Sequence, residues 1–159
     1  MFSIISAIGK NREIGKDGKL VFYIKEDMQF FKKTTMGHKI LMGERTFRSL
    51  PGVLSGRENY VLTMDPENLP KNVKAVTDLD SFIKKYEQNA EEVFVIGGEM
   101  VYKQLLPYAK KIYLTEIETK AEADTFFPKF KKQIYDKIVL RKGQENGLTY
   151  TFVKYIRKS

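Results

Sequence analysis

Cysteine and tryptophan are missing from this 159-residue chain, and histidine occurs once, at position 38. Without cysteine there are no disulfides and no thiolate metal sites, and one imidazole excludes a multi-histidine centre, so no metal is expected. No apolar run approaches the roughly 20 residues of a membrane-spanning helix. The opening residues, Met1 to Ile5, lack the basic stretch and cleavage site of a secretory leader. The reading is a cytoplasmic protein with no membrane partner.

Hydrophobic residues make up 42% of the chain and aromatic residues 13%, enough to build a core. The length fits one domain, 1–159, and gives no oligomeric signal. Twenty-eight basic against 20 acidic residues give a net charge of +8. Lysines and acids are interleaved, and the one short cluster, Lys129, Lys131 and Lys132, holds a single aromatic, Phe130. That pattern attracts small anionic ligands in general and gives no dedicated nucleic-acid surface.

Short apolar runs alternate with helical patterns. Strands are expected at Phe2–Ile8, Lys39–Met42, Asn59–Thr63, Val73–Val76, Val93–Ile96 and Lys111–Ile117. Helices are expected at Ile24–Met36, Glu44–Leu50, from an Asp78 N-cap to Tyr86, and at Glu99–Leu106 before Pro107. Gly9–Gly18 reads as a loop, and the tail as an antiparallel hairpin, Gln133–Arg141 and Leu148–Arg157, about Asn146-Gly147. Alternating strands and helices predict an α/β fold with a mostly parallel sheet, whose ligands bind beyond the carboxyl ends of the strands.

Helical spacing puts Asp27 on one stripe with Ile24, Met28 and Phe31. A carboxylate among apolar neighbours needs a partner; a ligand edge with two adjacent N–H donors suits it, although a first-turn acid also serves the helix dipole. Two strand–glycine–helix junctions follow, Met42-Gly43-Glu44 and Ile96-Gly97-Gly98-Glu99. Each admits either a simple chain turn or a phosphate at a helix N-terminus. Arg57, after Leu54-Ser55-Gly56, is either a surface arginine or a bidentate carboxylate holder. His38 reads as solvent-facing.

In this order the pieces resemble dihydrofolate reductase of the bacterial chromosomal type. The resemblance rests on Ile5–Ala7, Ile14-Gly15, Asp27 with Phe31-Lys32, Met42-Gly43 with Thr46 and Ser49, and Leu54 with Gly56-Arg57. Val95–Gly98 with Val101-Tyr102, Tyr113–Thr115, and Asp124-Thr125 with Phe127-Pro128 complete it. It covers essentially the whole chain and implies an eight-stranded, mostly parallel sheet with flanking helices and a C-terminal antiparallel hairpin. It also implies hydride transfer from NADPH to 7,8-dihydrofolate, and antifolates as inhibitors. Asp27, supported by Thr115, would hold and polarise the pterin; Phe22 and Tyr102 would complete the catalytic group. Ile5, Ala7, Met28, Phe31, Leu50, Leu54 and Ile96 would line the substrate pocket, with Arg57 on the glutamate carboxylate. Ala7, Ile14, Leu20 and Ile96 would lie near the nicotinamide, with Tyr102 beside the hydride path, and Gly15 would also contact the cofactor. Gly43, Glu44, Arg45, Thr46, Leu62, Thr63, Met64, Gly97, Gly98, Glu99, Met100 and Val101 would follow the rest of the dinucleotide, and Asp124 would brace the loop that closes over it.

Three departures from the family pattern carry consequences. Val21-Phe22 replaces a Pro-Trp pair, so the indole N–H that would anchor a water is gone. Glu99 replaces a third glycine, a change expected to touch only the helix start. Glu44, Met64 and Met100 stand where basic or hydroxyl residues commonly hold the 2′-phosphate, leaving Thr63 and Arg45 and admitting NADH as a second cofactor. A riboflavin-pathway reductase, similar in fold, gives no reason to expect Asp27 and Arg57 together. A non-catalytic basic binding module would show salt-sensitive nucleic-acid retention and no nicotinamide binding.

Overall fold

Strand β1, Phe2–Ile8, runs through the middle of a computed structural model that describes residues 1–159. The chain continues through β2 (Glu13–Lys16), β3 (Lys19–Leu20), α1 (Lys25–Thr35), β4 (Lys39–Gly43), α2 (Glu44–Ser49), β5 (Glu58–Leu62) and β6 (Val73–Val76). It then forms α3 (Leu79–Tyr86), β7 (Val93–Gly97), α4 (Glu99–Leu105), β8 (Ala109–Ile117), β9 (Thr125–Phe126), β10 (Tyr135–Glu145) and β11 (Leu148–Arg157). Eight strands form one sheet in the order β10-β11-β8-β1-β7-β4-β5-β6, parallel from β8 to β6 and antiparallel in the hairpin. This is the α/β architecture the sequence predicts.

The two-residue period of each strand divides the core between two faces. Ile5, Ile40, Met42, Val61 and Phe94 point to one face, where Phe30 and Phe31 of α1 and Phe47 of α2 cover them. Ile4, Leu41, Val93, Val95, Ile112 and Leu114 point to the other, under Phe82 of α3 and Val101 and Leu105 of α4. Asp78 caps α3 by accepting from Ser81 N at 3.2 Å. The hairpin turns at Asn146 and Gly147, whose φ values of 52° and 78° suit a tight primed turn that asparagine and glycine favour.

Several boundaries differ from the expectation. The segment Gly9–Gly18 is not only loop: β2 pairs with β3 and with β9, some 110 residues later, in a second, three-stranded sheet. Strands this short show no alternation to read, and the partner comes from the far end of the chain. The helix after Gly98 stops at Leu105 and tightens into a 3-10 turn, Leu106–Tyr108, because Pro107 cannot continue it. Strand β8 starts two residues early, and β10 runs on to Glu145 through a bulge between Val139 and Arg141. No helix is long and apolar enough to cross a membrane, and no group of three or more His, Asp or Glu side chains is disposed to hold a metal.

Candidate active site

The parallel strands β1, β7 and β4 are neighbours, and the expected residues collect at their carboxyl ends. Register pairs Ala7 of β1 with Thr115 of β8, so these two share a face with Ile5 and Tyr113. Helix α1 crosses that face and brings Asp27 to Thr115, whose Oγ1 donates to Asp27 Oδ1 at 2.6 Å. Thr115 is buried, and Asp27 sits half-buried with apolar residues on either side. Burial pushes the Asp27 carboxyl above the ordinary aspartate range, and the Thr115 bond offsets only part of that rise. An acid held this way keeps one oxygen for a donor from a ligand.

Around it, Ile5, Phe31, Leu50, Leu54 and Ile96 belong to one apolar cluster, while Ala7 and Phe22 pack on a second, with Ile24, Tyr150 and Phe152. Met28 is half-exposed at the rim. The turn carrying Leu54 is held by Asn59, a buried amide that accepts from Leu54 N at 3.0 Å and donates to the Leu54 and Arg57 carbonyls. Arg57 donates to Thr35 Oγ1 at 3.1 Å and Ser55 O at 3.0 Å, which fixes its guanidinium at the end of α1. A hollow of about 380 Å³ also borders Arg57, but His38, Lys39, Glu58 and Glu91 give it no apolar wall for a ring. His38 is not simply solvent-facing: it is half-buried, edge-on to Phe94 at 5.2 Å.

Tyr102 lies deeper than expected. Only 3% exposed, it donates to the Ile5 carbonyl at 2.8 Å; burial and the charge of Asp27 both push its phenol up. It therefore anchors β1 to α4 beside the site, with its hydroxyl already committed.

The two glycine junctions face each other across β4 and β7. A Cβ on Gly98 would lie 3.1 Å from Thr46 Oγ1, and one on Gly43 would lie 3.2 Å from Val101. Gly97 has φ of 135°, which favours glycine. The result is a narrow cradle of backbone between the first turns of α2 and α4. Its acids are turned aside: Glu99 accepts from Phe126 N at 2.6 Å, and Glu44 accepts from the Thr63 hydroxyl and from Arg48 at 3.2 Å. Those bonds hold the Glu44 carboxyl below its ordinary range, Thr63 first and Arg48 second. Two expectations change here. Thr63 is not a free hydroxyl, because Glu44 holds it, and Glu99 does more than begin a helix, since it ties α4 to β9. Met64 and Met100 are 93% and 63% exposed and offer no polar contact; Arg45 is exposed, and Leu62 lies half-buried on β5.

The β2–β3–β9 sheet flanks the cradle. Ile14 packs on the main core, whereas Leu20 is 58% exposed and packs on none of the core clusters. Asp124 Oδ2 accepts from Asp17 N at 2.9 Å, and its own N–H bonds Gly15 O at the same distance, the brace expected of it. Sequence reading missed Glu13. Burial would raise its carboxyl, but N–H donors from Ala121 at 2.7 Å and Asn11 at 2.6 Å outweigh burial and lower it. Its only sequence signal is an acid in a short β-like stretch, which is too common to single out.

A model of the family described as "Dihydrofolate reductase" matches residues 1–157. The dihydrofolate reductase of Bacillus subtilis is 36% identical over 162 residues, covering all of this chain and 96% of that protein. The Staphylococcus haemolyticus dihydrofolate reductase is 36% identical, covering 98% and 95%. Among solved structures, that of Enterococcus faecalis dihydrofolate reductase complexed with NADP(H) and RAB-propyl superposes with a TM-score of 0.90 at 26% identity, covering 100% and 97%. With Asp27 against Thr115, the paired glycine cradle and this whole-length match, the chain belongs to the dihydrofolate reductase family.

Proposed function

We propose that this chain, acting as one domain over residues 1–159, reduces 7,8-dihydrofolate to tetrahydrofolate with NADPH and so serves one-carbon metabolism and thymidylate synthesis. The observation that carries the reading is the Asp27–Thr115 pair, a half-buried acid bonded to a buried threonine beside a cluster of apolar residues. The adjacent N–H donors of an aminopyrimidine match its carboxylate, and Ile5, Met28, Phe31, Leu50 and Leu54 suit the ring system. Arg57, held by Thr35, suits the glutamate carboxylate. Antifolates that mimic the pterin fit the same walls.

The narrow cradle at Gly43, Thr46, Gly97 and Gly98 fits a pyrophosphate, because a side chain on Gly98 would crowd Thr46. When bound, the reduced dinucleotide supplies the hydride. The chain's own work is to hold the pterin at Asp27, to present Ala7, Ile14 and Ile96 as an apolar wall that limits water, and to polarise the ring nitrogen for protonation. The engagement of Thr63 by Glu44, with no cation at Met64 or Met100, supports a weakened grip on the 2′-phosphate and use of NADH beside NADPH. A monomer in the cytoplasm is part of the same reading, its oligomeric state measurable by light scattering.

The test is loss of nicotinamide absorbance with dihydrofolate, run with NADPH and NADH in parallel. Turnover with both is expected. No turnover with either overturns the activity, and a preference for NADPH of roughly a thousandfold overturns only the shared use of NADH.

A further inference from the structure

Helix α1 begins without a cap of its own. Ile24 stands at the N-cap position with no side-chain bond to offer, and the first intrahelical bond is Met28 N to Ile24 O at 3.0 Å. The N–H groups of Lys25 and Glu26 should then be orphans. Instead they donate to the Glu145 carboxylate, Lys25 N to Oε2 at 2.8 Å and Glu26 N to Oε1 at 3.4 Å. Glu145 comes from the far end of the chain, beside the Asn146-Gly147 turn. The same hairpin grips the next side chain: Tyr150 donates to Glu26 Oε1 at 2.5 Å, and Arg141 pairs with the other oxygen. Gly143 makes room, because a Cβ there would lie 2.5 Å from the Tyr150 ring and 2.6 Å from Glu26. Three consecutive residues of α1 thus divide their bonds, Lys25 and Glu26 to the hairpin and Asp27 to Thr115.

We propose that Glu145 is a positioning residue for Asp27, capping the helix in trans so that the aspartate need not turn back and stays aimed at Thr115 and the substrate. A carboxylate at the third helical position ordinarily reaches back to the backbone N–H at the helix start. Glu145 satisfies the next two donors, Lys25 N–H and Glu26 N–H, and sets a negative charge against the positive end of the helix. Without it, Asp27 is drawn toward the helix start and its ionised form is favoured. The titratable groups that feel the Asp27 charge are Tyr102 on α4 and Tyr150 on the hairpin. Lys25 and Glu26 precede it on its own helix, Arg141 and Glu145 reach those two residues from the hairpin, β8 presents the uncharged Thr115, and β1 adds none.

The substrate role of Asp27 is the reading proposed above, and the test separates the two. The carboxyl-carbon resonance of Asp27, assigned by its absence in Asp27→Asn, is titrated in ligand-free protein. Glu145→Ala is expected to lower its midpoint by about half a pH unit. In parallel, the KM for dihydrofolate should rise about threefold while that for the dinucleotide stays put. Glu145→Gln, which keeps the shape and one acceptor, serves if the alanine variant does not fold; its shift should have the same sign. An unmoved titration in a folded variant, even one with a lowered Tm, overturns the proposal and leaves a purely structural cap. So does an equal shift in Glu67→Gln, which removes one charge from the 3-10 turn Pro66–Asn68 instead of the hairpin. Failure of the wild-type protein to reduce dihydrofolate would overturn the functional reading and leave the titration result standing.

Discussion

The two halves of the site are built differently. On the substrate side, Asp27 with Thr115 and Arg57 with Thr35 are side-chain pairs already bonded within the fold, and Asn59 bonds the backbone of Leu54 and Arg57; Thr115, Thr35 and Asn59 are buried. On the dinucleotide side, the residues at the expected 2′-phosphate positions are exposed or acidic, and Glu44 and Glu99 spend their carboxylates on protein donors. A buried polar group must be satisfied within the fold, so the substrate side tolerates little change. An exposed contact is screened and replaceable, which leaves the dinucleotide side room to vary. Function is therefore expected to fail abruptly on one side and to drift in selectivity on the other.

The largest effect is expected at Asp27. Asp27→Asn keeps the shape and the acceptor for Thr115 but removes the charge, and kcat at neutral pH should fall by about a hundredfold or more. Stability should move the other way. Burial raises the folded carboxyl above its unfolded value, so between those two values the folded state binds more protons and loses stability as pH rises. The asparagine variant escapes that cost. Its Tm at neutral pH should exceed that of the wild type by about 2–4 °C, a gap that closes below pH ~4, where both forms are neutral. A variant destabilised at neutral pH would mean that the charged acid is stabilised in the unliganded fold, and the contrast between the two halves would lose its basis.

A moderate effect is expected at Glu44. Glu44→Gln removes the charge that faces an incoming 2′-phosphate while keeping an acceptor for Thr63. kcat/KM with NADPH should rise about tenfold and that with NADH should change little. The gain should shrink with added salt, since Glu44 is accessible. An equal rise with both cofactors would point to a general change in the cradle and would erase the distinction.

Parts of the fold and of both sides of the site were legible because they are written in local patterns. Asp27 on an apolar stripe, the two strand–glycine–helix junctions and the Asn146-Gly147 turn are each short-range signals, and the structure puts them where those signals imply. The bonds that complete the site are long-range. Glu145 caps a helix 120 residues away, Glu13 reaches Ala121, and β2 pairs with β9; no periodicity encodes such meetings. Glu44 shows the intermediate case. Its charge was readable as unfavourable to a phosphate, but its hold on Thr63 depends on β5 lying beside β4. Tyr102 was readable as a neighbour of the site, whereas its bond to Ile5 needed the burial of α4 against β1.

The smallest effect is expected at Phe22, which lies between the two halves. Its ring packs with Ile24, Tyr150 and Phe152 and would meet a side chain on Gly9 at 2.8 Å, so its place is set by shape. What it lacks is a donor, and the hydroxyl of neighbouring Tyr23 does not substitute, because Tyr23 is 72% exposed. On the proposed reading, a proton bound for the pterin would cross a region with no indole N–H to fix a water. Phe22→Trp adds that donor at a half-buried position. Such a bound water is worth up to about one hydrogen bond, so kcat should rise about threefold to tenfold, most at high pH where proton supply limits the rate. The kcat–pH profile of the variant should rejoin that of the wild type at low pH. A profile identical at every pH would show that proton delivery does not pass Phe22, and would leave the substrate half governed by Asp27 and its bonded partners alone.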